Sequence, residues 1–272
     1  MDKPIGVIDS GYGGLTVATE LMRQLPKEAI YYVGDSKRCP YGPRSVEEVR
    51  RYTWEMIDHL LTFEVKMLVI ACNTATAVVL HEARQQLDIP VVGVIQPGAI
   101  TAMKVTNNQQ IAVIGTTGTI KSQAYSLALS SISEDVQVES LACPLFVPLV
   151  EQGIIAGEEA ELIVKESLEP LQNGTYDTLI LGCTHYPLLK PIIEHNLPSH
   201  VTVISSGEET AREVSSVLFH QSLNRTAGQT PQHRFFTTGA AKPFEAFARD
   251  RFNLISAQIE SITLDHRLKV ER

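Results

Sequence analysis

One stretch of the chain occurs twice. Leu68-Val69-Ile70-Ala71-Cys72-Asn73-Thr74 and Leu179-Ile180-Leu181-Gly182-Cys183-Thr184-His185 each pass from aliphatic residues through a small residue to a cysteine, then to hydrogen-bonding side chains. An aliphatic run without polar alternation is a strand buried on both faces, the habit of parallel sheets. Open sheets of that kind keep reactive groups just beyond the carboxyl ends of their strands. Each cysteine therefore stands where an α/β protein keeps its ligands.

The repeat extends beyond the cysteines. Ile111-Ala112-Val113-Ile114-Gly115-Thr116 echoes Ile5-Gly6-Val7-Ile8-Asp9-Ser10 at an offset of 106 residues, Cys183 follows Cys72 by 111, and Val201 to Ser205 answers Val91 to Ile95. We read an internal duplication: α/β, two pseudo-symmetric three-layer lobes with mostly parallel sheets, related by a rough two-fold axis. Two copies of this length are not a solenoid.

In chain order, Pro4 to Ile8 is a strand followed by Asp9-Ser10-Gly11-Tyr12-Gly13-Gly14 and a helix from Leu15 to Leu25. The glycines fit neither common phosphate-binding spacing; the plainer expectation is a tight turn using glycine for its backbone angles, with Asp9 as a helix cap. A strand from Ala29 to Val33 leads to Gly34-Asp35 and a loop, Cys39-Pro40-Tyr41-Gly42-Pro43. Ser45 and Glu48 form a capping box for a helix reaching about Glu64, whose Val49, Tyr52, Met56, Leu60 and Phe63 make a core stripe. The first cysteine strand precedes a helix from about Thr74 to Leu87 and a strand from Ile89 to Ile95, followed by Gln96-Pro97-Gly98. In the second half Glu151 ends an apolar helical turn, and helices are expected over Glu158 to Leu171 and Glu208 to Leu223. Asn224 to Gln232 reads as a loop. A strand from Arg234 to Thr238, a helix from Pro243 to Phe252 and a strand from Ile259 to Leu264 complete the pattern, before a charged tail.

A net charge of −8, from 23 basic and 31 acidic residues, argues against a nucleic-acid partner. No apolar run reaches membrane-spanning length, and Met1 to Ile5 lacks the basic and apolar regions of a signal peptide. Four cysteines in a chain of 272 residues read as free thiols of a cytoplasmic protein.

Cys72 and Cys183 each precede an expected helix start, with Asn73 or Thr74 capping the first and Pro187 in the first turn of the second. A helix N-terminus lowers a thiol pKa and attracts a carboxylate. Two such sulfurs suit an acidic substrate carrying a proton on the carbon α to a carboxylate. One thiolate removes the proton from one face, and the opposite thiol delivers one to the other. The pair then titrates as a coupled unit, with nearby carboxylates and His185 relaying protons or tuning the thiols. The plainer reading of a lone cysteine is core packing. A redox pair finds no CxxC motif, and Cys183 with His185 alone makes a poor metal site. Cys39 and Cys143 lack the strand-Cys-helix setting and are read as structural; no metal or cofactor is expected.

The pieces Ile8-Asp9-Ser10-Gly11-Tyr12-Gly13-Gly14, Gly34-Asp35, Pro40-Tyr41-Gly42, Ala71-Cys72-Asn73-Thr74-Ala75, Val113-Ile114-Gly115-Thr116 and Gly182-Cys183-Thr184-His185-Tyr186-Pro187 together resemble the bacterial glutamate racemases of the cofactor-independent aspartate/glutamate racemase superfamily. The resemblance implies interconversion of L- and D-glutamate, supplying D-glutamate for peptidoglycan and hence cell-wall biogenesis and cell shape. It implies Cys72 and Cys183 as the acid/base pair, supported by Asp9 on the Cys72 side, His185 on the Cys183 side, and Glu151. Substrate contacts are implied at Asp9, Ser10, Tyr41, Gly42, Asn73, Thr74, Thr184 and His185. It implies a cleft between lobes made of residues 1–98 plus 205–265 and 99–204, leaving 266–272 as a charged tail, and a homodimer. An aspartate racemase is the nearest alternative. A two-lobed binding protein for an acidic amino acid is the alternative without chemistry, and covalent thiol catalysis a further one.

Overall fold

The structure, a computed structural model, describes residues 2–254 and 258–264. The charged tail expected at 266–272 lies outside the described residues. Ten strands are described: β1 (Ile5–Asp9), β2 (Ile30–Gly34), β3 (Met67–Ile70), β4 (Val91–Gly93), β5 (Gln110–Gly115), β6 (Gln137–Ala142), β7 (Thr178–Gly182), β8 (Thr202–Ser205), β9 (Arg234–Thr237) and β10 (Gln258–Ser261). They form two sheets, in the orders β10-β9-β2-β1-β3-β4 and β6-β5-β7-β8. Every pairing is parallel.

The duplication is visible in the strand order. In each half the first strand lies between the second and the third, and the fourth pairs with the third. Register carries the correspondence to single residues: Ile8 faces Ile70 in one sheet, and Ile114 faces Leu181 in the other. Cys72 and Cys183 follow Ile70 and Leu181 by two positions each. By the same alignment Ser10 corresponds to Thr116, and Asp9 to Gly115.

The first sheet is covered on both faces. Ile5, Val7 and Val69 point to one side, with Leu15, Leu21 and Phe244. Ile8, Leu68 and Ile70 point to the other, with Val49, Met56 and Leu60. This alternation along strands buried on both sides explains why they contain so little polar sequence. The second sheet is likewise sandwiched, between Phe146, Val164 and Ile193 on one face and Ile95, Ala99 and Leu129 on the other. β9 and β10 join the first sheet beside β2, so the chain returns there after β8.

Several boundaries differ from the sequence reading. The fourth strand is shorter, because Ile95 opens a helix, Ile95–Val105, across Gln96-Pro97-Gly98; proline is tolerated in a first turn, where its missing N–H has no helical partner. β6 has no counterpart in the sequence reading. It is an edge strand whose side chains are all exposed or half-buried, so it lacks the apolar run that marks the others. The helix expected over Glu208 to Leu223 runs Gly207–His220, and β10 stops at Ser261. The Ser45–Glu48 capping box is formed as expected, with both reciprocal bonds, at the head of the helix Val46–Leu61.

Candidate active site

Cys72 follows the end of β3 by two positions and is itself the N-cap of the helix Asn73–Gln86; the sequence reading gave that role to Asn73 or Thr74. Its sulfur accepts the Ala75 backbone N–H at 3.5 Å and meets the Ser10 hydroxyl at 3.5 Å. The expected lowering of its pKa does not prevail. Burial, reinforced by the Asp9 carboxylate, pushes the thiol up to about 12, against the pull of the Ser10 and Ala75 donors.

Cys183 follows β7 and precedes a short 3-10 turn, Tyr186–Leu189, with proline at its start. Its sulfur lies 3.8 Å from His185 Nδ1, and His185 Nε2 is 2.5 Å from Glu151 Oε1. Burial acts to lower the His185 pKa, but hydrogen bonds with Cys183, Cys39 and Glu151 outweigh it and hold the imidazole well above its ordinary value. Glu151 ends the helix Phe146–Glu151. Sequence position alone suggests a solvated carboxylate there; the fold turns it inward onto the histidine.

Asp9, at the end of β1, is fully buried. One carboxylate oxygen accepts the Gly11 N–H at 2.9 Å, and the other accepts the Thr184 hydroxyl at 3.1 Å. Asp9 thus pairs with a residue from the opposite half. Burial raises its pKa, opposed by the charge of His185 and by these hydrogen bonds. A second crossing contact runs the other way, from the Tyr12 N–H to Glu151 at 3.4 Å.

The two cysteines line one cavity with Ser10, Tyr41, Gly42 and Asn73; Thr74, Thr184 and His185 complete the implied substrate contacts that reach it. Asp9 and Glu151 stand behind this lining. The cavity has about 10 Å³ of free volume, room for about one water. Tyr41 commits its hydroxyl to the Asp35 carboxylate, so its hydroxyl is engaged away from a ligand. Asn73 accepts the Tyr125 hydroxyl at 2.7 Å, while its buried Nδ2 has no hydrogen-bond partner among the described residues. A buried donor left unpaired is costly, and here it belongs to a side chain lining the cavity.

Three lining residues were not named as site residues from the sequence: Val147, and Pro40 and Thr116, which stood only within the resembling motifs. Thr116 Oγ1 lies 2.8 Å from Thr74 Oγ1 and caps the helix Thr117–Lys121. Its correspondence to Ser10 at the 106-residue offset was the available signal. Cys39, read as structural, instead lies against the site, with its sulfur 3.7 Å from Glu151 Oε1. Cys143 is buried in the second-half core.

The glycines of the first turn have a different reason from the one expected. None of Gly11, Gly13 and Gly14 has a positive φ. A Cβ on Gly13 would stand 2.3 Å from His185 Nδ1, and one on Gly14 would stand 2.4 Å from Asp9 Cβ. Gly13 is needed because the histidine of the other half approaches its backbone, and Gly14 because Asp9 folds back against it.

Two parallel sheets bring one cysteine each to a shared cavity, with carboxylate and imidazole groups beside them, which makes this a candidate two-thiol site. The chain belongs to the Asp/Glu/Hydantoin racemase family, whose family model matches residues 5–214. It is 67% identical to a glutamate racemase of Shouchella clausii over 271 residues, covering 100% of this chain and 98% of the relative. Among solved structures, a glutamate racemase isoform from Bacillus anthracis superposes with a TM-score of 0.93 at 48% identity, over 96% of this chain and 98% of that one. A glutamate racemase from Francisella tularensis in complex with D-glutamate gives 0.90 at 34% identity, over 97% and 98%.

Proposed function

We infer that the protein is a glutamate racemase that interconverts L- and D-glutamate, with Cys72 and Cys183 exchanging the α-proton from opposite faces. The observation that carries this reading is the convergence of two cysteines, from matched strand ends of two sheets, on one cavity. The family and the level of identity to glutamate racemases support the substrate.

In the forward step a thiolate takes the α-proton while the opposite thiol protonates the other face; in reverse the roles exchange. The rise of the Cys72 thiol from 9.0 to about 12 makes its ionisation cost about 4 kcal/mol more than for a free thiol. Burial and the Asp9 charge thus work against a resident Cys72 thiolate, and the α-ammonium of glutamate is the positive charge that arrives with the substrate to favour one. The N–H groups at the start of the helix Asn73–Gln86 and the free amide donor of Asn73 suit the α-carboxylate. On the other side His185, held by Glu151, faces the negative charge that develops on Cys183. Asp9, Glu151 and His185 are proposed as supporting proton relays. Ser10, Tyr41, Gly42, Asn73, Thr74 and Thr184 are proposed as the substrate cradle, together with Asp9 and His185. An amino acid is far larger than the closed cavity, so substrate access needs the lobes to part.

The lobes are proposed to divide as 1–98 plus 205–265 and 99–204, with the seam inside the helix Ile95–Val105, whose Ile95, Ala99 and Ala102 pack on the second sheet. The reading extends to a cytoplasmic homodimer supplying D-glutamate for peptidoglycan, and so to cell-wall biogenesis and cell shape; the motif resemblance supports these. Among the described residues no helix is long and apolar enough to cross a membrane.

The test is proton NMR of the protein with L-glutamate and then D-glutamate in D2O, with circular dichroism following inversion. Loss of the α-proton and approach to a racemic mixture from both sides is expected. Exchange of aspartate but not glutamate would move the substrate to the shorter acid. Binding of glutamate without exchange would leave a binding protein, and a thioester adduct by mass spectrometry would mark covalent catalysis.

A further inference from the structure

Cys39 has no part in the proton transfer described above, yet its sulfur is directed at the support of the second thiol. It lies 3.7 Å from Glu151 Oε1, which in turn lies 2.5 Å from His185 Nε2. One ligating atom from each of Cys39, Glu151 and His185 falls within 4.8 Å of the other two. Donors around a tetrahedral zinc ion sit roughly 3.3–3.5 Å apart, from bond lengths near 2.0–2.3 Å. The three atoms bracket that spacing, so shifts of an ångström or so in side chains would bring them onto one ion. Thiolate, imidazole and carboxylate are the donors that zinc takes, and three protein ligands leave its fourth position open. Cys39 and Glu151 are both partly exposed, which gives an ion a route inward.

We propose that Cys39, Glu151 and His185 form a binding site for a borderline-soft divalent cation of the zinc type, and that its occupation inhibits the enzyme. On binding, Cys39 releases its thiol proton and His185 its imidazolium proton, both to solvent, so that thiolate and neutral imidazole face the ion. Two anionic ligands then match the 2+ charge, and affinity rises with pH. Two consequences follow from the positions of the ligands. Cys39 comes from the loop after β2 and the other two from the second half, so the ion staples the halves in the closed arrangement. It also takes Nε2 of His185 away from Glu151 and removes the imidazolium charge facing Cys183.

The inhibitory consequence rests on the racemase reading; the site itself does not. The experiment is a CoCl2 titration of the full chain followed by absorption, in parallel with ZnCl2 inhibition of glutamate racemisation and reversal by EDTA. Wild type is expected to bind one equivalent of cobalt with a thiolate charge-transfer band. Cys39→Ala and Cys39→Ser should lose the band and raise the zinc inhibition constant at least ten-fold. Zinc should also raise the melting temperature of wild type but of neither variant. No cobalt band in wild type overturns the site whether or not the variants fold. A band and zinc inhibition that persist in both variants overturn it too, because the ion then sits on Cys72 or Cys183. The cobalt readout needs no turnover, so it separates failure of the site from failure of the racemase reading.

Discussion

Cys72 and Cys183 follow equivalent strands, β3 and β7, each paired with the first strand of its own sheet, yet their neighbours differ. Beside Cys72 stands Asp9 at the end of β1; the matching position beside Cys183 is Gly115. Beside Cys183 stands His185; the matching position after Cys72 is Thr74, whose hydroxyl bonds Thr116 and Thr119. The duplicated framework fixes where the sulfurs sit, while the charged and polar groups beside them differ. Each supporting group is also tied to the other half, Asp9 through Thr184 and Glu151 through the Tyr12 N–H. In this arrangement contacts between the halves complete both sides together.

The largest effect comes from breaking the symmetric part. Cys72→Ser and Cys183→Ser should each lower kcat/KM for racemisation by about 10³-fold or more, at the upper end of what a general acid or base contributes. α-Proton exchange in D2O is the readout, and near-normal turnover in either variant would end the two-thiol account. The asymmetric part requires a subtler measurement. A racemisation has an equilibrium constant of one, so no substitution can lower kcat/KM for one enantiomer alone. Asp9→Asn and His185→Asn should each cost about 10²-fold in both directions. Their primary isotope effects with α-deuterated L- and D-glutamate should move oppositely, each rising for the enantiomer whose proton is taken by the thiol that the lost group serves. Equal shifts in the two variants would mean that Asp9 and His185 support one shared step.

The sequence disclosed the framework because apolar runs buried on both faces recur at nearly constant offsets, and each ends at a cysteine. His185 was legible from its place two residues after Cys183, whereas Asp9 was legible only through motif resemblance; nothing in its local pattern tells a cap from a proton relay. Thr116 was hidden in plain duplication, and β6 was missed because an exposed edge carries no apolar signal. The first turn was misread for a deeper reason. Its Gly13 answers to atoms of His185 and Thr184 in the other half of the chain, and no local property of the turn encodes that. Gly13→Ala tests it: the added methyl has no space against His185 Nδ1 while the cleft is closed. Overpacking of this kind costs about 1–3 kcal/mol, so kcat/KM should fall roughly ten-fold or more, with the separate cores intact by circular dichroism. An unchanged kcat/KM would show that the closed approach of His185 to the turn is not used in turnover.

The smallest effect is on stability, and it compares the thiols directly. Burial pushes Cys72 and Cys143 each from 9.0 to about 12, with the Asp9 charge adding to the first and the Cys183 charge to the second. An unfolded thiol ionises near its ordinary value while the folded one keeps its proton. Between pH 9 and 12 the folded state therefore binds more protons, and stability falls as pH rises. Below pH 9 the term vanishes. At pH 10 it amounts to roughly 1 kcal/mol per thiol; the tyrosines with raised pKa contribute with the same sign, in wild type and in the thiol variants alike. Urea midpoints at pH 8 and pH 10 measure it. Cys143→Ala should lose roughly 1 kcal/mol less than wild type over that interval, and Cys72→Ala the same. If only Cys143→Ala flattens the dependence, Cys72 ionises in the folded protein near its ordinary value. The Ser10 hydroxyl and the helix N–H would then have prevailed over burial, and the thiolate would be resident before any substrate arrives.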